Sequence, residues 1–310
     1  TLYLRKGMKW SDGVPFTADD FLYEYQHEIL NKELYPIVPD WLKVGGEIIG
    51  MKKIDNYTVR LDFPQAYPLI LNYISHAWGT QPGFPGYGWY GLFQCAHYAK
   101  QFHPDFIGKG KATQMAKEAG FDTWTEFYKR KVHSWFGLQF YPDVSPTLAP
   151  YVCVEKSIDR WVFERNPYYW KVDSAGNQLP YNDRVILYPI ENIDVITGKI
   201  IAGEADYAGL SARASNIPLY VDNAEKGGYR VLIWRDPGNP HVELNLTSED
   251  SVLRKIFQDI RFRKAISLAI NRKEINKTLY FGLATPRSYT VPPGSEYYKE
   301  EYAKVCINYD

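Results

Sequence analysis

The stretch LRKGMKWSDGVPFTADDFLYEY, residues 4–25, contains a turn followed by the start of a helix. The tripeptide SDG at 11–13 predicts the turn, because aspartate hydrogen-bonds to its own backbone and glycine accepts positive φ. Thr17 predicts the N-cap of the helix. Asp19 and Asp20 fall in its first turn, where carboxylates favour the positive end of the helix dipole. The stretch therefore predicts a capped helix directly after a turn.

The segments that follow predict a helix face and then a hairpin. Phe21, Tyr25 and Ile29 recur at i, i+4 and i+8, which is the spacing of one apolar helix face. Residues 47–54 and 57–63 have strand composition and are separated by an Asp-Asn pair, so they predict a β-hairpin. The first part of the chain therefore mixes helix and antiparallel strand.

The middle and the end of the chain alternate between strand and helix patterns. RWVFERN at 160–166 predicts a strand, and DRVILYPI at 183–190 predicts a strand of the buried kind, because it is almost continuously apolar. A helix is predicted from about Ile193, with Gly203 just past its end. Further helices are predicted within 92–102, 112–119 and 124–132 and, as two helices separated near Asn271, over 252–280; further strands are predicted over 205–210, 229–234 and 241–246. This alternation indicates an α/β chain.

Composition excludes some partners and leaves the compartment open. The chain has 310 residues with 36 basic and 36 acidic side chains, so no excess positive charge favours nucleic acid or an anionic membrane. No apolar run reaches the roughly 18–20 residues of a membrane span. The three cysteines, Cys95, Cys153 and Cys306, are too few and too widely spaced for a disulfide framework or a metal site. They are either three free thiols or one bridged pair and one free thiol.

One glycine pattern resembles a nucleotide-binding fingerprint but lacks its context. Gly86, Gly88 and Gly91 spell G-x-G-x-x-G within PGFPGYGWYGLF at 82–93. A dinucleotide loop follows a strand and opens a helix, with small residues between the glycines. Here a predicted helix and loop precede the glycines, and bulky aromatic rings stand between them. The pattern therefore predicts a glycine-rich aromatic loop without a cofactor.

Other chemical motifs give no catalytic residue and no metal ligand. The loop at 108–111 contains glycines and lysines but not the P-loop spacing, and G-x-S-x-G is absent. His97 and His103 are six residues apart, which does not place them on one helix face. Aspartate and glutamate are plentiful, so a carboxylate pair cannot be singled out. The chain is predicted to be no enzyme and to need no cofactor, with a secreted carbohydrate-active enzyme as the alternative.

The order of several segments resembles the extracellular solute-binding proteins of family 5, which include the oligopeptide and dipeptide receptors of ABC importers. Each segment alone is only moderately specific, whereas their order is highly specific, and the resemblance covers nearly all of the chain. The segments that carry it are 4–25, 54–68, 163–190, 203–210, 257–275 and 282–295.

The resemblance implies an α/β fold of the two-lobed, type II periplasmic-binding-protein kind. Residues 1–142 are expected to form part of a first-lobe subdomain with the hairpin and the aromatic glycine-rich loop. Residues 143–237 are expected to form the central α/β part of the first lobe, and residues 238–310 the beginning of an incomplete second lobe. The resemblance further implies that the chain is truncated at both ends, with any signal segment outside it.

The implied function is that of the substrate-binding component of an ABC importer. Such a protein captures oligopeptides outside the cytoplasmic membrane and delivers them to a membrane permease. The chain is then expected to be a periplasmic or cell-surface protein of a bacterium, with or without a lipid anchor, and a monomer that binds no nucleic acid. An oligosaccharide-binding receptor of the same family is the alternative.

Candidate ligand-contacting residues come from two segments of the sequence. The aromatic residues of the glycine-rich loop either stack on a ligand at a cleft or pack together on the lobe behind them. In the segment 241–246, side chains that alternate along a strand would share one face. The candidates are Tyr87, Trp89, Tyr90, His241, Glu243 and Asn245, with Trp10 as a further one.

Overall fold

A computed structural model of the chain describes residues 1–75, 91–133, 145–209, 212–234 and 240–310. These residues divide into two compact units, Thr1–Pro189 and Ile190–Asp310. The boundaries predicted at 142/143 and at 237/238 lie outside the described residues and stay predictions. No helix of the described ranges is long and apolar enough to cross a membrane.

In its described residues, the first unit contains three small antiparallel sheets and six short α-helices. Its strands are β1 (Leu2–Tyr3), β2 (Lys43–Val44), β3 (Glu47–Ile48), β4 (Gly50–Asp55), β5 (Thr58–Asp62), β6 (Tyr151–Lys156), β7 (Trp161–Arg165) and β8 (Arg184–Leu187). Its α-helices are α1 (Ala18–Tyr23), α2 (Ile70–Ser75), α3 (Ala96–Ala99), α4 (Pro104–Ile107), α5 (Lys109–Glu118) and α6 (Trp124–Val132). A π-helix, Glu24–Ile29, continues directly from α1, and a 3₁₀ turn spans Asp40–Leu42.

The predicted hairpin and the predicted helix cap are both confirmed. Strands β4 and β5 pair antiparallel, and β1 adds to the free edge of β5, giving the order β1-β5-β4. Thr17 caps α1 in a capping box: its hydroxyl accepts from the Asp19 amide, while the Asp20 carboxylate accepts from the Thr17 amide at 2.9 Å. Asp20 also accepts from the Ala96 amide at 3.0 Å, which joins the start of α1 to the start of α3.

Two hydrophobic cores stabilise the first unit within the ranges that the structure describes. The larger core lies around Trp10, Phe16 and Phe93, whose rings meet edge to face with centroids 5.0 to 6.2 Å apart. Such aromatic pairs contribute about 0.5–1.5 kcal/mol beyond the area that they bury. Trp10 is 1% exposed, so its proposed contact with a ligand is wrong. The second core lies around α6 and contains several tyrosines. Its buried residues are Tyr23, Leu34, Tyr35, Ala96, Ala99, Ala112, Trp124, Tyr128 and Val132.

The third sheet confirms two predicted strands and corrects the burial of one. The order is β6-β7-β8, with both pairs antiparallel. Strand β8 lies at the edge of this sheet, and Val185, Ile186 and Leu187 are each more than a third exposed. The prediction of a buried strand was wrong, because β8 pairs on one side only and its apolar side chains remain partly exposed.

The second unit is helical in its described residues. Its α-helices are α7 (Ile193–Ile201), α8 (Ile217–Gly227), α9 (Ser251–Gln258), α10 (Ile260–Leu268), α11 (Arg272–Leu279) and α12 (Glu300–Ala303), with a 3₁₀ turn at Ala214–Asn216. The predicted stop at Gly203 is confirmed, since α7 ends just before it and its φ is +73°. The segment 252–280 holds three helices instead of two, because Asp259 ends α9 and caps α10 by accepting from the Arg261 amide.

Three strand predictions in this unit are wrong. Residues 205–209, 229–234 and 241–246 have no strand structure, although their composition predicted strands. A strand exists only where another strand supplies its hydrogen bonds. Within the described part of the chain, no segment pairs with any of the three.

Candidate ligand-binding site

The structure describes four of the seven candidate ligand-contacting residues, and Trp10 is one of them. Tyr87, Trp89 and Tyr90 lie outside the described residues. His241, Glu243 and Asn245 lie in the second unit, in an irregular segment just before α9.

His241 and Glu243 form one polar surface patch together with Tyr289. The His241 Nε2 atom is 2.9 Å from Glu243 Oε1. The ring of Tyr289, from a segment 48 residues beyond His241, lies with its centroid 5.1 Å from that of the imidazole. Glu243 and Tyr289 are largely exposed, at 86% for the Glu243 side chain and 76% for Tyr289. The patch therefore presents a carboxylate, an imidazole and a phenol to solvent.

Asn245 makes local hydrogen bonds beside that patch. Its Oδ1 atom accepts from the amide and from the hydroxyl of Thr247, both at 3.1 Å. Its own carbonyl accepts from the Ser248 amide. Such bonds are typical of an Asx turn. The side chain of Asn245 thus holds the chain reversal that leads into α9.

A groove of about 350 Å³ lies on the first unit, on residues that were not predicted to contact a ligand. The Arg5 guanidinium lies 5.1 Å from the ring centroid of Trp170, and the Lys9 ammonium 5.3 Å from that of Tyr168. Gln178 donates to the backbone carbonyl of Tyr169 and so fixes the aromatic wall. Cation–π contacts of this kind occupy the ring faces that a sugar would stack on.

A cysteine, a histidine and an aspartate meet in the first unit in an order that resembles a catalytic triad. Cys95 Sγ is 3.5 Å from His97 Nδ1, and His97 Nε2 is 2.6 Å from Asp12 Oδ2. Nucleophilic cysteines need a thiolate and an exposed position. Cys95 is fully buried, and burial together with the nearby Asp20 carboxylate raises the pKa of its thiol. The array therefore lacks the nucleophile that catalysis requires.

This array could not be predicted from the sequence, because Asp12 lies far along the chain from Cys95 and His97. Asp12 stands 85 positions before His97. It also carries out its predicted role in the turn, since its Oδ1 atom accepts from the Val14 amide. Cys95, Cys153 and Cys306 are all free thiols in the structure.

A buried polar cluster lies at the centre of the second core. The Tyr128 hydroxyl donates to Glu28 Oε1 at 2.6 Å, and His133 Nε2 lies 2.7 Å from Glu28 Oε2. Tyr23 extends the chain of bonds through its hydroxyl, 2.9 Å from that of Tyr128. Glu24 lies on the same helical segment, and burial followed by the proximity of Glu28 raises the pKa of its carboxyl well above the ordinary value. The cluster is closed off from solvent, which suits a structural role.

Comparison with known proteins places the chain among binding proteins. A solved structure named oligopeptide-binding protein OppA is 37% identical, with a TM-score of 0.71, and the alignment covers 99% of this chain and 47% of that one. The periplasmic alpha-galactoside-binding protein of Rhizobium meliloti (strain 1021) is 28% identical over 91% of this chain and 38% of its own length. The periplasmic oligopeptide-binding protein OppA of Escherichia coli (strain K12) is 23% identical over 94% and 46%.

The α/β fold is that of a type II periplasmic binding protein, as expected from the sequence. The profile of the bacterial extracellular solute-binding proteins, family 5 Middle, matches residues 1–310, and the chain belongs to this family. The chain spans less than half the length of the relatives described above.

Proposed function

We propose that the chain is part of the substrate-binding component of an ABC importer that captures oligopeptides outside the cytoplasmic membrane. The observation that carries this proposal is the 37% identity, over 99% of the chain, to an oligopeptide-binding protein. The protein then works as a monomer that closes on its ligand by hinge motion and docks on a membrane permease. It acts in the periplasm or at the cell surface and catalyses no reaction.

The patch on the second unit offers chemistry that suits a peptide. The Glu243 carboxylate can accept from an ammonium group, and the imidazole of His241 can donate to a carbonyl or a carboxylate. The ring of Tyr289 adds an apolar face beside them. We place one end of the bound peptide here, with Tyr87, Trp89 and Tyr90 proposed as further contacts.

Oligosaccharides are the second candidate ligand class. The relative named for alpha-galactoside binding supports it, as does the 16% aromatic content, because sugars stack on tryptophan and tyrosine. The cations that cover Tyr168 and Trp170 leave the groove of the first unit poorly suited to such stacking.

Native mass spectrometry of the full-length protein, purified without refolding, tests the ligand class. We expect co-purified peptides, and calorimetry with a peptide pool is expected to give binding that a pool of galactosyl oligosaccharides does not. Co-purified sugar would refute the peptide proposal and support oligosaccharides, the second candidate. Turnover of a glycan would refute both candidates.

A variant pair tests the patch itself. Glu243→Gln removes the carboxylate and is expected to weaken peptide binding about tenfold, which corresponds to about 1.4 kcal/mol. Glu249→Gln is the matched control, because Glu249 is also exposed and lies in the same irregular segment. Equal peptide affinities for the two variants would show that Glu243 does not contact the ligand. The proposed function of the protein would not be affected by that result.

A further inference from the structure

Two histidines and an aspartate from separate segments meet on the first unit. His27 lies on the π-helix, His103 directly precedes α4, and Asp105 lies within α4. His27 Nδ1 is 2.7 Å and His103 Nδ1 is 3.6 Å from the same oxygen, Asp105 Oδ2. One donor atom from each of the three residues lies within 4.8 Å of the other two.

We propose that His27, His103 and Asp105 bind one zinc ion. Zinc takes imidazole nitrogens and carboxylate oxygens at about 2.0–2.2 Å in a tetrahedron, so its ligand atoms stand about 3.3–3.5 Å apart. The two distances from Asp105 Oδ2 bracket that separation. This inference stands apart from the proposed function, since ligand capture does not require it.

The hydrogen bonds of His103 already set the tautomer that a metal needs. Its Nε2 atom is 3.0 Å from the backbone carbonyl of His27, which can only accept, so Nε2 carries the proton. Its Nδ1 atom accepts from the Asp105 amide at 3.2 Å, so the lone pair of Nδ1 points towards Asp105. Metal-binding histidines typically donate their other N–H to a carbonyl in this way. The ion replaces this one neutral hydrogen bond.

Aromatic rings pack against both histidines, whereas the aspartate is exposed to solvent. Phe106 packs against His27 with ring centroids 4.8 Å apart, and Trp124 packs against His103 at 5.5 Å. The side chain of His103 is fully buried, whereas that of Asp105 is 54% exposed. Zinc can therefore enter from the solvent side, and water can complete its coordination.

The donor set selects the type of metal. Imidazole suits zinc, copper and nickel, whereas calcium and magnesium take oxygen ligands. The bound ion would join the π-helix to α4 and so couple two segments that lie 76 positions apart. A zinc-dependent gain in the stability of the first unit is the expected consequence.

Calorimetric titration of the chelator-treated chain with zinc chloride tests the proposal, with His27→Gln and Asp105→Asn as the variants. Both residues are partly exposed, so their replacement leaves the fold intact, which circular dichroism checks. We expect one zinc per chain and a loss of affinity of at least about 10–100-fold in each variant. Cobalt substitution is expected to give the visible absorption of a tetrahedral site, and magnesium is expected to give no heat.

His97→Gln is the matched control. His97 also pairs with an aspartate, at 2.6 Å from Asp12, with similar exposure but without a second histidine. We expect its zinc affinity to stay within about twofold of the wild-type value, because it is not a ligand. No zinc binding by the wild type, or equal binding by His27→Gln, overturns the proposal. Binding that disappears only in His97→Gln also overturns it, since that result would place the ion beside Cys95.

Discussion

Replacement of Tyr128 by phenylalanine removes one hydroxyl from the buried polar cluster of the first unit. That hydroxyl donates to Glu28 Oε1 at 2.6 Å and lies 2.9 Å from the hydroxyl of Tyr23. Tyr128 is fully buried and Glu28 is 1% exposed, so water cannot replace the lost partner without opening the core. The substitution therefore affects two buried polar atoms at once.

The expected cost follows from the number of atoms that lose a partner. A buried polar atom left unsatisfied costs about 1–3 kcal/mol, so two of them lower the free energy of unfolding by about 2–6 kcal/mol. Tyr25→Phe provides the comparison on the same helical segment. The Tyr25 hydroxyl makes one partly buried bond to the Ile49 carbonyl at 2.8 Å, so its loss is expected to cost about 1 kcal/mol.

Urea unfolding of the three proteins, followed by tryptophan fluorescence and circular dichroism, measures both costs. The denaturant slope must stay constant for the comparison to hold. The double variant Tyr23→Phe/Tyr128→Phe adds a second test, because both changes remove the same bond and their effects are then less than additive. A cost for Tyr128→Phe no greater than that for Tyr25→Phe, or strict additivity in the cycle, would refute the reasoning.

Two further predictions concern a buried acid and a glycine. Burial, and then the proximity of Glu28, raise the pKa of Glu24 well above 4.5, so the stability contributed by the protonated carboxyl is complete below pH 4.5 and is lost as pH rises through the folded-state pKa. Glu24→Gln removes this loss. The melting temperature of the variant should therefore rise relative to that of the wild type as pH increases above 4.5. A difference in melting temperature that does not change with pH would contradict the assignment. Gly203 has a φ of +73°, and a Cβ there would collide with the carbonyl of Gly227. Gly203→Ala should therefore lower the free energy of unfolding by at least about 2 kcal/mol in denaturant titrations, and by more than the control Gly228→Ala, which has positive φ but open space.

Features that depend on neighbouring residues could be predicted from the sequence. Thr17 caps α1 through a capping box, and the hairpin of β4 and β5 turns at Asn56, within the predicted Asp-Asn pair. The end of α7 at Gly203 depends in the same way on one residue that accepts positive φ. Each of these signals lies within a few residues of the structure that it determines.

Features that depend on pairing could not be predicted in the same way. The segments 229–234 and 241–246 have the composition of strands, yet a strand needs hydrogen bonds from elsewhere in the chain. The candidate patch shows the same limit. The expectation that Glu243 and Asn245 share one face assumed a strand. In the irregular segment that forms instead, Glu243 pairs with His241, and the ring of His241 packs against that of the distant Tyr289.

The helical segment from Ala18 to Ile29 shows why buried polar residues are not predicted from a hydrophobic pattern. The apolar residues Phe21 and Ile29 face the larger core, as the i, i+4, i+8 spacing predicts. Glu24 and Glu28 are buried as well, on a second face that packs against α6. A hydrophobic pattern assigns acidic residues to the surface, because an unpaired buried charge is costly.

Donors from far along the chain make that second face possible. The residues that satisfy Glu28 are Tyr128 and His133, which lie 100 and 105 positions away. The same holds for His27, whose partners Asp105 and His103 lie 78 and 76 positions away. Burial of a polar residue is therefore decided by its partner, and the partner is fixed only once α4 and α6 have packed against the first helix. Sites made of such residues, the proposed zinc site among them, become visible only in the folded chain.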